Sequence, residues 1–160
     1  MQLFKEILFP VDLSHISPKI APYVSELAKM FEAKVHLLFV ARVFEHLTST
    51  HLPNLTIDNL ETEIAREAEK KLHEFMDTYF KYDSCKAKVV SGNPAEEILI
   101  YAELEKIDLI IMGTHGRKRI EPILFGSVAD RIVKNSPVPV LTIDPYGRSE
   151  GREPHSFEDL

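Results

Sequence analysis

The chain alternates short apolar runs rich in β-branched residues with longer segments of helical periodicity, and this alternation strongly limits its possible folds. Five strands are predicted, at Ile7–Val11, Val35–Val40, Ala87–Val90, Leu109–Met112 and Val138–Ile143. Strands that alternate with helices are joined by βαβ crossovers, which produce a parallel sheet with helices on both faces. We therefore predict an α/β fold with an open five-stranded parallel sheet.

Four helices are predicted between these strands, because each intervening segment carries apolar residues at helical spacing. The stripes are Ile20, Val24, Leu27, Ala28 and Phe31; Ile64, Ala68, Leu72, Phe75 and Tyr79; Ile98, Leu99 and Ala102; and Val128, Ala129, Ile132 and Val133. Ser17 and Asn93 each precede a proline and are predicted to cap a helix. Ser127 with Asp130 repeats the capping pattern at the last helix.

Two segments lack this periodicity. Residues 42–58 contain threonine, asparagine and proline without an apolar period, which predicts a long loop or lid. Apolar residues almost vanish at the end of the chain, so we expect a domain over residues 1–144 and a flexible tail over 145–160. A chain of 160 residues fits one domain of ordinary size.

The charge balance argues against several classes of partner. With 19 Lys and Arg against 25 Asp and Glu, the formal net charge of −6 disfavours nonspecific binding to nucleic acid or anionic membranes. No apolar run approaches the length of a membrane span. Cys85 is the single cysteine and cannot form an internal disulfide, and no secretory signal opens the chain. We expect a cytoplasmic protein.

Glycine is scarce, yet four of the six glycines follow a predicted strand or precede a helix: Gly92, Gly113, Gly116 and Gly126. The segment Gly113–Ser127 reads GTHGRKRIEPILFGS. The unpaired amides of Gly126, Ser127 and Val128 at a helix start would favour phosphate, and the basic residues 117–119 would add positive charge. Alternatively, the first two glycines only turn the chain and the cations are solvated.

The spacing of these glycines resembles the G-x2-G-x9-G-S/T signature of ATP-binding universal stress proteins. Further similarity lies in residues 7–12, 92–96, 108–113 and 136–140, and it extends over roughly residues 3–143. The resemblance implies a Rossmann-like sheet of order 3-2-1-4-5, with the nucleotide at the junction of strands 1 and 4. This junction is also where ligands bind in doubly wound sheets.

The resemblance also implies which residues contact ATP, or AMP or ADP in its place. They are Pro10, Val11, Asp12, Val40, Met112, Gly113, His115, Gly116, Arg117, Gly126, Ser127 and Val128. Asp12 has the alternative role of capping a turn, and His115 that of a polar surface residue. Histidine, cysteine and carboxylate spacings predict no protein-only metal site, although magnesium or manganese can arrive through the phosphates.

Regulation in response to a nucleotide is the function that the resemblance favours, in a stress response whose signal and protein partner the sequence does not identify. Glu121 is the nearest candidate base, but it lies in the variable interior of the motif beside Pro122, as expected of an exposed loop carboxylate. We therefore expect at most feeble ATPase activity. A nucleotide-free dimeric scaffold and a slow ATP-hydrolysing enzyme are the alternatives. A homodimer is expected through strand 138–143, where Pro139 lacks a ladder donor at a predicted sheet edge.

Overall fold

The structure is a computed structural model that describes residues 3–42, 54–80, 83–115 and 125–146. Strands β1 to β5 are Glu6–Val11, Lys34–Ala41, Cys85–Ser91, Leu109–Gly113 and Val140–Ile143. Helices α1 to α4 are Ser17–Phe31, Asn54–Tyr79, Pro94–Leu104 and Ser127–Asn135. Strands and helices alternate along the chain as predicted.

The strands form one parallel sheet of order β3-β2-β1-β4-β5, which confirms the predicted fold class. β5 begins at Val140, two residues later than predicted. Pro139 just before it has no N–H to donate, although its carbonyl oxygen accepts a hydrogen bond from the Ile110 N–H at 3.0 Å. This order places β3 and β5 at the two edges.

The core has one apolar layer on each face of the sheet. Ile20 of α1 and Leu72 of α2 are fully buried on the first face. Ile98 of α3 and Ile132 of α4 are buried on the second face. The predicted stripes therefore face the sheet, except for Val133, whose side chain is 45% exposed on α4. Removal of apolar area from water on both faces is the main force that holds this architecture.

The predicted cap of α3 is confirmed. Asn93 Oδ1 accepts a hydrogen bond from the Glu96 N–H at 3.3 Å. The preceding Gly92 has φ +150°, and a Cβ there would lie 2.7 Å from Glu97 Oε1. The turn from β3 into α3 therefore requires glycine.

The other two predicted caps are wrong by one residue. The N-cap of α1 is Ile16, and the hydroxyl of Ser17 instead donates to Asp12 Oδ1 at 2.9 Å. The N-cap of α4 is Gly126, which leaves Ser127 as the first helical residue. In α1, the serine hydroxyl therefore donates to a carboxylate of the preceding loop instead of accepting from a backbone amide of the helix.

The loop prediction is wrong for residues 54–58, because α2 begins at Asn54. Residues 43–53 lie outside the described residues. At the other end, Pro145 is buried and Tyr146 packs against the core, while 147–160 lie outside the described residues. The domain boundary at residue 144 stays a prediction. Across the described ranges, no helix combines the length and apolar character that a membrane crossing requires.

A buried histidine joins the sheet to α3. The His36 side chain is 1% exposed, its Nε2 lies 2.7 Å from Glu6 Oε2, and its Nδ1 lies 3.0 Å from Tyr101 Oη. Nε2 must carry the proton toward the carboxylate, so in the neutral ring Nδ1 accepts from the Tyr101 hydroxyl. Burial lowers the pKa of His36, and the hydrogen bond to Glu6 offsets part of that effect. Burial also raises the pKa of Tyr101 to about 12, which keeps its hydroxyl protonated.

We expect the free energy of unfolding to fall as the pH drops from 8 to 5, partly through His36. Its folded-state pKa is lowered, so below about 6.5 the unfolded chain binds a proton that the folded protein resists. Of the charges that face this ring, Lys86 also lowers the pKa of His36, whereas Glu6 and Glu105 raise it, and the effect of burial is larger. Urea unfolding of the wild type and His36→Gln across this pH range measures the effect. Equal pH slopes in the two proteins would contradict it, because glutamine keeps hydrogen-bonding capacity but does not titrate.

Candidate functional site

The carboxyl ends of β1 and β4 are neighbours, and the chain leaves them toward opposite faces of the sheet. The ladder between these strands pairs Ile7 with Leu109 and Leu8 with Ile110, and both strands continue three residues further. Pro10 supplies no N–H to either neighbour. These strand ends form the switch point of the sheet, called the crevice below, which is where ligands bind in folds of this kind.

The loop after β1 is organised around Asp12. Its Oδ1 accepts hydrogen bonds from the Ser14 N–H at 3.0 Å, the Ser14 hydroxyl at 2.7 Å and the Ser17 hydroxyl at 2.9 Å. Between them Leu13 adopts φ 56°, a left-handed conformation that costs a leucine free energy. Asp12 thus has the turn-capping role that was one of its two predicted roles, and its contact with a nucleotide stays a prediction.

Several predicted site residues at the ends of the central strands have buried side chains. Val11, Val40 and Met112 are 5%, 9% and 6% exposed and pack into the core. Pro10 is half-buried one position before Val11. A ligand at the crevice would meet the three buried residues chiefly through backbone atoms.

The end of β4 is hydrogen-bonded directly to the start of α4. The Thr114 N–H donates to the Ile143 carbonyl oxygen at 2.9 Å, and the Gly126 N–H donates to the Thr114 carbonyl oxygen at 2.7 Å. The prediction that the Gly126 amide is unpaired is therefore wrong. Ser127 and Val128 follow in the first turn of α4, where N–H groups have no acceptor within the helix.

The two described glycines of the motif have different roles. Gly126 has φ −65° and ψ 163°, a conformation open to any residue. A Cβ on Gly113 would lie 3.1 Å from the His115 carbonyl oxygen and 3.6 Å from Ile20 Cδ1. Close packing against the chain and α1 therefore explains glycine at position 113, and a bulky residue there would disturb the fold as well as any ligand.

His115 is 9% exposed, so the alternative that it is an ordinary surface residue is wrong. Its Nδ1 lies 3.0 Å from Thr114 Oγ1, and its ring contacts the ring of Tyr146. Contact between His115 and a nucleotide stays a prediction. Gly116 and Arg117 lie outside the described residues, as do the other basic residues of the motif and Glu121.

An ion pair connects α4 to the start of α3. Arg131 Nη2 lies 2.7 Å from Glu96 Oε1, with both side chains about half exposed. The arginine therefore braces α4 against α3. Pairs at this level of exposure contribute little stability, about 0–1 kcal/mol.

The described residues offer neither a metal cluster nor a reactive thiol. Among residues 3–42, 54–80, 83–115 and 125–146, no group of three or more histidine, cysteine or carboxylate side chains is placed to hold a metal ion. Burial raises the pKa of Cys85 to about 12, so its thiol stays protonated and unreactive.

Sequence reasoning missed three contributors to this region. Ser14 was detectable, because a serine two residues after an aspartate is typical of a turn closed by the aspartate side chain. Lys19 and Tyr146 come together only in the folded chain, where the Lys19 ammonium lies over the Tyr146 ring. No local pattern links residues so distant in sequence.

Comparison with known proteins identifies the family. Residues 3–144 match the model of the universal stress protein family. Universal stress protein MJ0531 of Methanocaldococcus jannaschii is 37% identical over 143 residues, covering 88% of this chain and 82% of that protein. The structure of MJ0577 from the same organism has a TM-score of 0.75 at 31% identity, covering 89% of this chain and 96% of that one.

The fold is also that of the Archaeoglobus fulgidus universal stress protein solved in complex with dAMP. That structure has a TM-score of 0.59 at 18% identity, and the match covers 89% of this chain and 99% of that one. The family match spans nearly the whole described sheet, and the strand order and glycine spacing agree with it. This chain belongs to the universal stress protein family.

Proposed function

We propose that this protein binds an adenine nucleotide in the crevice between β1 and β4. The nucleotide is ATP, or AMP or ADP in its place, and the protein acts as a nucleotide-dependent stress-response regulator. The observation that carries the proposal is the hydrogen bond from the Gly126 N–H to the Thr114 carbonyl oxygen at 2.7 Å. It holds the first turn of α4 at the carboxyl end of β4, beside the crevice.

The chemistry at this helix start suits phosphate. The amides of Ser127 and Val128 belong to the first turn of α4, and the helix dipole favours negative charge there. The exposed Ser127 side chain adds a hydroxyl donor. These groups would hold phosphate oxygens, and a magnesium or manganese ion would be bound through the phosphates.

The opposite part of the crevice suits the nucleoside. The ends of β1 and β2 lie side by side there, with Val11 in register with Phe39 and Val40 the next residue of β2. Because the Val11 and Val40 side chains are buried, the base and ribose would be met by backbone groups. The dAMP complex of the Archaeoglobus protein supports the proposal, since an adenine mononucleotide binds to another protein with this fold.

We also propose a homodimer through β5. The Leu141 side chain is 39% exposed on this edge strand, and Val140 and Ile143 are only half-buried. An edge strand with apolar side chains and unpaired backbone groups favours pairing with a second copy. The same feature would serve a nucleotide-free dimeric scaffold, which is the second candidate function.

The nucleotide content of the purified protein separates the two candidates. We expect chromatography of the denatured sample to release an adenine nucleotide, or calorimetry to show micromolar binding of added ATP, about −8 kcal/mol. A protein that releases no nucleotide and gives no heat with ATP, AMP or ADP would contradict nucleotide binding and favour the scaffold.

A further inference from the structure

Three side chains form a stack that joins α1 to the segment after β4. Lys19 Nζ lies 5.1 Å from the centroid of the Tyr146 ring. The centroid of the His115 ring lies 6.4 Å from that of Tyr146, with 62° between the ring planes. The first contact is of cation–π type and the second is an edge-to-face ring contact. Tyr146 therefore contacts both the first turn of α1 and the residue that precedes Gly116.

The Tyr146 ring is held in place by the chain around it. The Tyr146 N–H donates to Asp144 Oδ1 at 3.0 Å, which turns the chain directly after β5. Pro145 between them is buried, and the Tyr146 side chain packs against the core layer of α1. Tyr146 also lies beyond residue 144, where the match to the family model ends. Lys19 and His115 lie within the matched region, whereas the ring that joins them lies just beyond it.

The stack connects the segment that follows β1 to the segment that follows β4. The ladder between those strands ends at Leu8 and Ile110, so backbone pairing between them does not set the spacing of the loops that follow. Lys19 belongs to α1, whose first residue Ser17 donates to Asp12 after β1. His115 follows β4. A contact between Lys19, Tyr146 and His115 ties the two loops together across the opening.

His115 can transmit its position to the glycine-rich segment. Its carbonyl oxygen would lie only 3.1 Å from a Cβ on Gly113, and its Nδ1 lies 3.0 Å from Thr114 Oγ1. A shift of the His115 ring would therefore disturb its contact with Thr114 at the end of β4. Because Thr114 also accepts from the Gly126 N–H, the start of α4 depends on the same backbone.

We propose that Tyr146 is a positioning residue for the nucleotide site. Its ring keeps His115 against the first turn of α1 and thereby sets the width of the crevice that receives the nucleotide. This inference rests on the proposed nucleotide binding, but it can fail while nucleotide binding stands.

Calorimetry with magnesium ATP tests the role of the ring. We expect Tyr146→Ala to weaken affinity about tenfold, the upper range for one aromatic contact. Tyr146→Phe keeps the ring and should restore wild-type affinity. Tyr23→Ala is the matched control, because Tyr23 is 57% exposed on α1 and lies outside this stack. Urea unfolding of each variant shows whether it is folded under the binding conditions.

Fluorescence gives a second readout, because the chain contains no tryptophan. Tyr146→Trp would place a single indole beside His115, and we expect ATP to change its emission, whereas Tyr23→Trp should not respond.

Wild-type affinity in folded Tyr146→Ala, or weak binding by folded Tyr146→Phe, would overturn the positioning role alone. A silent Tyr146→Trp that binds ATP normally would also overturn it. Absence of ATP binding by the wild type would overturn both this inference and the proposed function. If Tyr146→Ala does not fold, the ATP affinity of Tyr146→Phe and the fluorescence response of Tyr146→Trp decide whether Tyr146 positions the site.

Discussion

Replacing Gly126 by leucine is expected to weaken ATP binding at least about a hundredfold, or about 2.7 kcal/mol, while the domain stays folded. The backbone of Gly126, at φ −65° and ψ 163°, is accessible to leucine without strain. The added side chain would lie at the start of α4, where the phosphates are proposed to bind. Its cost to the fold is the weaker N-cap, about 1 kcal/mol.

Lys134→Leu is the matched control for this variant, because it adds the same side chain at an exposed position near the other end of α4. Calorimetry with ATP and thermal unfolding by circular dichroism should be measured on both proteins. Wild-type affinity in a folded Gly126→Leu protein would refute the assignment of the phosphate site to the start of α4.

Leu141→Glu is expected to dissociate the proposed homodimer at micromolar concentration. Leu141 is 39% exposed on the edge strand β5, and a symmetric interface would bury it in both copies. Dimerisation would bury at most the exposed 39% of each leucine, about 1–2 kcal/mol for the two copies, and in the variant it would also remove two glutamates from water and bring like charges together. The affinity of the two copies for each other should therefore fall by more than about a hundredfold.

Because Leu141 is not buried under the flanking helices, the variant should fold as the wild type does. Sedimentation velocity of wild type and Leu141→Glu measures association, and Leu104→Glu is the control, since Leu104 is 76% exposed on α3 away from β5. A wild type that sediments as a monomer, or a Leu141→Glu protein that remains dimeric, would show that β5 is not the interface.

Local patterns were sufficient for the architecture. The β-branched runs and the helical stripes predicted the nine elements of the described residues in their correct order. Burial of apolar residues at periods of two and 3.6 depends on neighbours in sequence. Asn93 was placed correctly as a cap for the same reason, since its acceptor oxygen and the Glu96 amide are three residues apart.

The family resemblance supplied what local patterns do not contain. The resemblance implied the strand order, and the structure confirms that order. The same resemblance named the residues expected to contact the nucleotide, but it did not show which of them have roles in the fold. Only the structure shows that a side chain at Gly113 would press against the His115 carbonyl oxygen and that the Gly126 amide donates to Thr114.

The sequence by itself therefore determined the elements, the parallel sheet and the segment that carries the glycine motif. Tertiary structure decided which polar groups meet. His36 is enclosed between Glu6 and Tyr101, and Tyr146 reaches His115. Such contacts depend on the distance between elements that are far apart in sequence. That distance follows from packing of the whole core, so no local pattern could predict it.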